Sequence, residues 1–324
     1  MIKEEDIIKN WKTASCKVSV CCLSFNHEAY IEECLNSILS QNVDFPFEIL
    51  LHDDASNDRS QEIISHFQKS YPAIIKPILQ TENQRSKLGS GMNPKFNFPR
   101  AIGEYIAFCE CDDYWSDKNK LSKQVTFLEE NEEYGGVVTD YSKLAEKNDL
   151  WSYSVLKTNF NLRESQVIPQ KNIFKVQLKK TRTVTAVIRK SIIDDFSNSP
   201  FIEGTPGDTQ LFSYLICESK LYLMLEPTSV YRVRNESVSH TASFEKKQSF
   251  YKSYIDFMEF AETRYEISKG DHSYLKKSKS LFKIRQLAHE RRKTATIIQG
   301  IKMMFLGEVS RIIFQQIKSS FRKK

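Results

Sequence analysis

The stretch YIAFCECDDYW, residues 105–115, sets three carboxylates within four positions, Glu110, Asp112 and Asp113, at the end of an apolar run. Neighbouring carboxylates repel one another. Where they are partly buried, they either raise their pKa values or bind cations. Hard oxygen donors in this number suit Mg²⁺ or Mn²⁺ rather than zinc, and a divalent ion chelated with a nucleotide diphosphate would relieve the repulsion. An isolated acid pair of this spacing is common, however, and a solvated loop capping a helix near Lys118 would read the same way. Cys109 and Cys111 overlap the acids, but no second CxC or CxxC pair accompanies them, which argues against a thiolate metal site.

Other groups could take part. Asp53 and Asp54 close the run FEILLHDD. Asp208 follows Thr-Pro-Gly and precedes Leu211, Phe212 and Leu215 at helical spacing, so it reads equally as a helix N-cap or as a base accepting a hydroxyl proton. Arg232 and Arg234 follow the apolar run LYLMLEPTSVY, and alternation places them on one face, ready for phosphate or for local acids. His240 is a weak candidate ligand on the acceptor side; a lone histidine after Ser-Val-Ser also fits a plain surface, as do His27 and His52. Tyr114 and Trp115 either line a sugar site or pack the loop.

These groups need a scaffold. KVSVCCLSF (17–25), FEILLHDD (47–54), AIIKPILQ (73–80) and EYIAFCE read as strands, with helical spacing in HEAYIEECLNSILSQ and ASNDRSQEIISHFQKSY between them. A loop, GSGMNPKFNFPRAIG, leads through a short helix into the fourth strand. Strand and helix alternating in this way predict parallel βαβ units, an α/β fold whose mostly parallel sheet is covered on both faces. Ligands in such sheets bind at the carboxyl ends of the strands, where the acids fall. KLSKQVTFLEEN reads as an amphipathic helix, GGVVTDY as a strand, TRTVTAVIRKSIIDDF as strand then helix, and GDTQLFSYLICES as a helix start. LYLMLEPTSVYRVR reads as one or two strands, and helix dominates from about residue 235.

A chain of 324 residues, 40% hydrophobic and 27% charged, is long enough for one large domain with an appendage and is too apolar to be disordered. Seven cysteines in no disulfide pattern point to a reducing, cytoplasmic compartment. No signal peptide is visible at the N-terminus, and no uncharged run reaches the ~18 residues of a spanning helix. The net charge of +6 is uneven, with 15 Lys/Arg against 3 Asp/Glu over residues 269–324. There, Ile298, Ile301, Phe305, Val309, Ile312 and Gln316 share one helical line bordered by Lys302, Arg311 and Lys318. That pattern fits a helix lying on an anionic bilayer, and equally one packed on its own domain or in an oligomer interface. Nucleic acid is not expected as a partner, because the basic residues lack interleaved aromatics and no reader motif is present.

Taken together, SFNHEAYIEECLNSILSQ, DDASND and GEYIAFCECDDYW resemble the family 2 glycosyltransferases, whose forms run V-S-V-I-I-P-T-Y-N, D-D-G-S-x-D and G-x-Y-I-x-F-x-D-x-D-D. ECDDYWSDKNKLSKQVTFLEEN further resembles bacterial members reading E-x-D-D-Y-W then K-L-x-x-Q-V-x-F-L-E, and the likeness covers about residues 15–240. The resemblance implies a GT-A fold: a Rossmann-like nucleotide half, about 15–115, joined to an acceptor half, about 116–240, here followed by a helical basic region, 241–324. It implies donor-nucleotide contacts at Ser24, Phe25, Asn26, Asp53, Asp54 and Asp112, and a metal held by Asp112, Asp113 and Glu110, the last standing where Asp is more usual. It implies Asp208 as the catalytic base, with Gly207 where Glu is common, and leaves Arg232, Arg234, Trp115 and His240 as weaker candidates for the diphosphate or acceptor. The function implied is inverting transfer from a nucleotide-diphosphate sugar to a glycan or lipid-linked acceptor in bacterial surface polysaccharide synthesis. That would place a cytoplasmic enzyme at the inner face of the membrane. Ala55 replaces the usual Gly of D-D-G, and Asn97-Phe98-Pro99-Arg100 replaces an A-R-N. A nucleotidyltransferase would want a Gly-rich loop after the first strand and a dehalogenase-type phosphatase a D-x-D-x-T; both are absent. A silent nucleotide- or carbohydrate-binding scaffold is the remaining alternative.

Overall fold

The computed structural model describes residues 2–89, 91–200, 207–234 and 244–289. After a short helix α1 (Glu4–Ile8), the chain alternates β1 (Val18–Ser24), α2 (Ile31–Leu39), β2 (Phe47–Asp53), α3 (Ser60–Ser70), β3 (Ile75–Leu79), α4 (Gln84–Leu88) and β4 (Tyr105–Phe108). The four strands are parallel in the order β3-β2-β1-β4. Chain order runs outward from β1 to β3 and then returns to set β4 on the other side of β1. The point of return is the switch point at which ligands bind in open α/β sheets.

The side-chain period of two explains why β1 and β2 are buried almost throughout. Cys21, Leu50, Ile106 and Phe108 enter the core on one face of the sheet. Val18, Val20, Cys22, Ile49, Leu51 and Ala107 enter the core on the other. Helix α2 covers the second face with Ile31, Cys34, Leu35, Ile38 and Leu39, while Glu32 and Glu33 favour its N-terminal turn. Pro77 is tolerated in β3 because that strand ends the sheet. Gly103 is required by packing: a Cβ there would sit 2.4 Å from the backbone nitrogen of Ser19.

The second half continues with β5 (Tyr114–Trp115), α5 (Lys120–Glu130), β6 (Tyr134–Ala145), β7 (Leu150–Ser152), α6 (Val155–Phe160), β8 (Gln166–Ile168), β9 (Val187–Arg189), α7 (Lys190–Ser197), α8 (Gly207–Glu218) and β10 (Lys220–Val233). The sheet extends through β4-β9-β6-β10-β5, with β7 beside β6 and β8 beside β10. β9 is antiparallel to both β4 and β6, so the sheet is mixed here. The run 220–233 is one strand whose register shifts around Pro227.

Helices α9 (Phe244–Arg264) and α10 (Lys269–His289) do not stand apart from this half. Ile255, Phe257, Met258 and Leu275 share a core with Phe174, Leu211 and Phe212. The fully buried Asp271 accepts the backbone N–H groups of Ile173, Phe174 and Lys175, so α10 is anchored by a charge as well as by apolar contact. The apolar line over 298–316 and His240 lie outside the described residues.

Candidate active site

Beyond β4 the backbone keeps pairing with β1: the N–H of Cys109 donates to the carbonyl of Cys21, and that of Cys111 to Leu23. A turn closes when the Asp113 N–H donates to the Glu110 carbonyl at 2.8 Å. These bonds hold the acid loop against the carboxyl end of β1. The ligand oxygens of Glu110, Asp112 and Asp113 lie within 4.8 Å of one another, the only such His/Cys/Asp/Glu group among the described residues. Burial pushes Asp113 well above the usual carboxylate range and the charge of Asp112 adds to this, while the Arg232 N–H, donating to its Oδ1 at 2.8 Å, opposes it. Glu110 is pushed up to about 7 by burial, with the charges of Asp112 and Asp208 adding. Three mutually repelling hard oxygen donors fit a divalent cation of the Mg²⁺ or Mn²⁺ kind.

Two arginines hold this loop from the side. Arg232 donates to the Asp112 carbonyl at 2.8 Å and to the Glu33 carboxylate, and its guanidinium lies 4.6 Å from the Tyr114 ring and 5.2 Å from that of Tyr30. Arg234 pairs with the Asp112 carboxylate at 3.0 Å and donates to Nε2 of His27, also at 3.0 Å. Burial lowers the pKa of His27, which favours the neutral ring that such an acceptor must be. The expected sharing of one face holds: both arginines reach Asp112. The buried Arg232 braces the loop, and Arg234 is the more accessible of the two side chains.

The acids at the end of β2 are differently placed. Asp53, fully buried, accepts from the N–H of Ser56 at 3.0 Å, from the Ser56 hydroxyl, and from Gln61 at 2.7 Å. Asp54 accepts the first N–H groups of α4, from Gln84 at 2.6 Å and Arg85 at 3.1 Å. Asn26, at φ 55°, accepts the Asn57 N–H at 2.8 Å and so ties the loop after β1 to the loop after β2. Beside it Ser24 is buried with its hydroxyl unpartnered, and the Phe25 ring is 42% exposed. The Phe25 ring is therefore the accessible apolar face at the end of β1, next to loops held by their own hydrogen bonds.

Asp208 stands in the first turn of α8. It lines a pocket of about 120 Å³ together with Glu110, Leu23, Asn93, Phe108 and Phe196. The structure thus brings Asp208 and the acid loop, almost a hundred residues apart in the chain, to one cavity. Trp115 is placed otherwise: it is buried, donates its indole N–H to the Val184 carbonyl at 3.1 Å, and packs 4.8 Å from the Lys120 amine. Its ring supports the loop from behind rather than lining the pocket. Cys109 and Cys111 lie with Cys22 and Cys34 in a buried thiol cluster beneath the acids, Cys34 and Cys109 being 3.6 Å apart.

The sequence profile described as Glycosyl transferase family 2 matches residues 19–195, more than half of the chain. The chain belongs to that family. It is 27% identical over 273 residues to the GalNAc(5)-diNAcBac-PP-undecaprenol beta-1,3-glucosyltransferase of Campylobacter jejuni, covering 83% of this chain and 81% of that one. An uncharacterised protein of Mycobacterium tuberculosis is 41% identical over 116 residues, 36% of this chain, and the match spans 32% of that relative's length. Among solved structures, Staphylococcus aureus TarS 1–349 in complex with UDP-GlcNAc superposes with a TM-score of 0.60 at 18% identity, covering 84% of this chain and 73% of that one. A Pyrobaculum calidifontis mannosyltransferase in complex with GDP-Man and Mn²⁺ gives 0.55 at 15% identity, covering 97% and 84%. The fold is therefore GT-A.

Within this glycosyltransferase scaffold, motif reading passed over several residues. His27 reads from sequence as a surface histidine, as does His52, but both are buried; His27 completes the arginine brace with Glu33, which nothing in the helix start NHEAYIEE marks. Asn97, fully buried, donates to the Cys22 carbonyl at 3.2 Å, and Arg100 donates to the carbonyls of Leu51 and Lys76. Together they brace β1, β2 and β3 where an A-R-N was sought. The signal for them was a polar Asn and Arg flanking Phe-Pro inside an otherwise apolar approach to β4.

Proposed function

We propose that this protein is an inverting, metal-dependent glycosyltransferase that moves a sugar from a nucleotide-diphosphate donor to a hydroxyl of a glycan or lipid-linked acceptor in bacterial surface polysaccharide synthesis. The observation that carries the reading is the shared pocket of Asp208 and Glu110 at the switch point, with Asp112 and Asp113 adjoining. Named activities of relatives support it: the Campylobacter protein is an undecaprenol-linked glucosyltransferase, and a putative Bacillus subtilis relative is assigned to teichuronic acid synthesis. The mannosyltransferase structure with Mn²⁺ supports a divalent cofactor.

In this reading the nucleobase lies on the Phe25 ring with Ser24 beneath it, and Asp112, Asp113 and Glu110 hold the divalent cation. That ion would neutralise charge developing on the departing diphosphate. Asp208 accepts the proton of the acceptor hydroxyl as its oxygen attacks the anomeric carbon from the opposite side, and the electron pair of the broken C–O bond leaves with the diphosphate. Arg234 is the candidate for a direct phosphate contact, because it can exchange its bond to Asp112 for one to an anion. No helix of the described residues is long and apolar enough to cross a membrane. We assign attachment to an anionic bilayer to the basic stretch beyond residue 289, which vesicle flotation with and without residues 290–324 tests.

The deciding experiment screens UDP- and GDP-sugars with Mn²⁺ for sugar transfer or donor hydrolysis. Turnover that needs metal, and that Asp208→Asn abolishes while donor binding persists, is expected. Donor binding with no turnover by the wild type would favour a silent binding scaffold.

A further inference from the structure

The hairpin after β6 carries a feature that the transfer chemistry leaves unused. Trp151 and Tyr153 present near-parallel rings, 7° apart with centroids 5.7 Å from each other, and Tyr153 is 67% exposed. Trp151 is half-buried and the two rings stack on one another, so the Tyr153 side of the pair is the apolar surface left to water.

The sheet register fixes where they face. Trp151 of β7 pairs with Leu144 of β6, and Leu144 pairs with Arg232 of β10. Residues opposite one another in adjacent strands point to the same face, so Trp151 shares its face with the Arg232 side chain that holds the acid loop. Tyr114 pairs with Val230, two positions from Arg232, and lies on that face too, its ring 4.6 Å from the Arg232 guanidinium. Two strand spacings, about 10 Å, separate the Trp151 and Arg232 backbones. The rings therefore form an outlying platform on the same side of the sheet as the acid loop.

Resting on the transferase reading above, we propose that Trp151 and Tyr153 form an acceptor subsite that stacks a sugar ring beyond the reacting one, so that the acceptor is an oligosaccharide chain. A pyranose has one face lined by C–H groups. Laying it on an aromatic ring buries apolar area on both sides and sets polarised C–H groups against the negative face of the π-system. Aromatic side chains of this kind lose little conformational freedom on binding, because only two torsions are fixed. A bilayer is the less suited occupant. The turn joining β6 and β7 carries Glu146, Lys147 and Asp149, and Glu146 is turned to Arg232 and the Tyr30 hydroxyl, so the turn offers no basic excess to hold anionic lipid.

The test uses the full chain and a printed array of bacterial surface oligosaccharides, comparing wild type with Trp151→Ala, Trp151→Phe and Tyr153→Ala. Each protein is also assayed for the Tm shift given by UDP- and GDP-sugars with Mn²⁺. The proposal expects wild type to retain a subset of glycans, Trp151→Ala to weaken that binding at least tenfold, Trp151→Phe to keep most of it, and donor-linked Tm shifts to be equal in all four. It is overturned if wild type retains no glycan, or if Trp151→Ala binds glycan as wild type does. It is also overturned if Trp151→Ala releases the protein from phosphatidylglycerol vesicles without touching glycan binding. Absence of any donor-linked Tm shift in wild type would instead contradict the transferase reading; glycan binding that still depends on Trp151 would then leave the platform standing.

Discussion

Two strand ends in this protein close in acids, and they do opposite things with them. At the end of β2, Asp53 and Asp54 are surrounded by N–H and O–H donors, from Ser56 in the following loop, Gln61 in α3 and Gln84 and Arg85 in α4. At the end of β4, Glu110, Asp112 and Asp113 crowd one another, and Asp113 and Glu110 are driven toward protonation by burial and by neighbouring charge. A carboxylate whose lone pairs are met by its own backbone builds a loop; one held beside other carboxylates is arranged for a cation that comes from outside. The same motif, acids at a strand end, is thus met by N–H and O–H donors of the fold in one place and left crowded together in the other.

Substitutions break this comparison in separable ways. The largest expected effect is on turnover: Asp208→Asn should lower transfer by roughly 10²–10⁴-fold, the usual reach of a general base, with little change in Tm. Transfer assays beside thermal melts check this. Asp53→Ala should do the reverse. By stranding the donors of Ser56 and Gln61 in a buried site it should destabilise the fold by about 2–4 kcal/mol, measured by urea denaturation, while the folded fraction keeps its metal response.

A third prediction concerns the support behind the β4 loop. Lys120 is fully buried against Trp115, with Gln124 and the Thr185 carbonyl as its partners, and burial lowers its pKa to about 7. The unfolded chain holds that proton until about pH 10.5, so between pH 7 and 10.5 the unfolded state binds more protons and wild-type stability rises with pH. The slope from this group is at most about 1.4 kcal/mol per pH unit. Lys120→Met lacks it. The variant's advantage over wild type at pH 7 should therefore shrink by pH 9.5 in parallel denaturation curves; an unchanged gap would contradict the assignment. The smallest effect belongs to Ala55, held at φ 61° just after β2. Ala55→Gly should relieve left-handed strain and stabilise by about 1 kcal/mol, read as a rise in Tm.

Much of the nucleotide half was legible because strand burial and helical spacing are local signals. The runs 17–25, 47–54 and 73–80 became β1, β2 and β3 with little change, and the acid clusters fell at strand ends as the alternation required. The acceptor half was harder. β7, α6 and β8 are short, and their apolar residues meet partners far along the chain, so no local period marks them. Helices α9 and α10 read as an appendage because their mean polarity is high, yet Met258 and Leu275 are core residues and Asp271 is an anchor. Within the site, residue types named the acids but not their states: whether an Asp is satisfied depends on N–H groups such as those of Gln84 and Arg85, thirty residues away.

The most direct test of the central claim is the Tm shift produced by Mn²⁺ together with UDP or GDP, compared between wild type, Asp113→Asn and Asp54→Asn. The account predicts a metal-dependent rise in wild type that Asp113→Asn loses and Asp54→Asn, once its lower starting Tm is allowed for, retains. An equal metal-dependent rise in wild type and Asp113→Asn would contradict it.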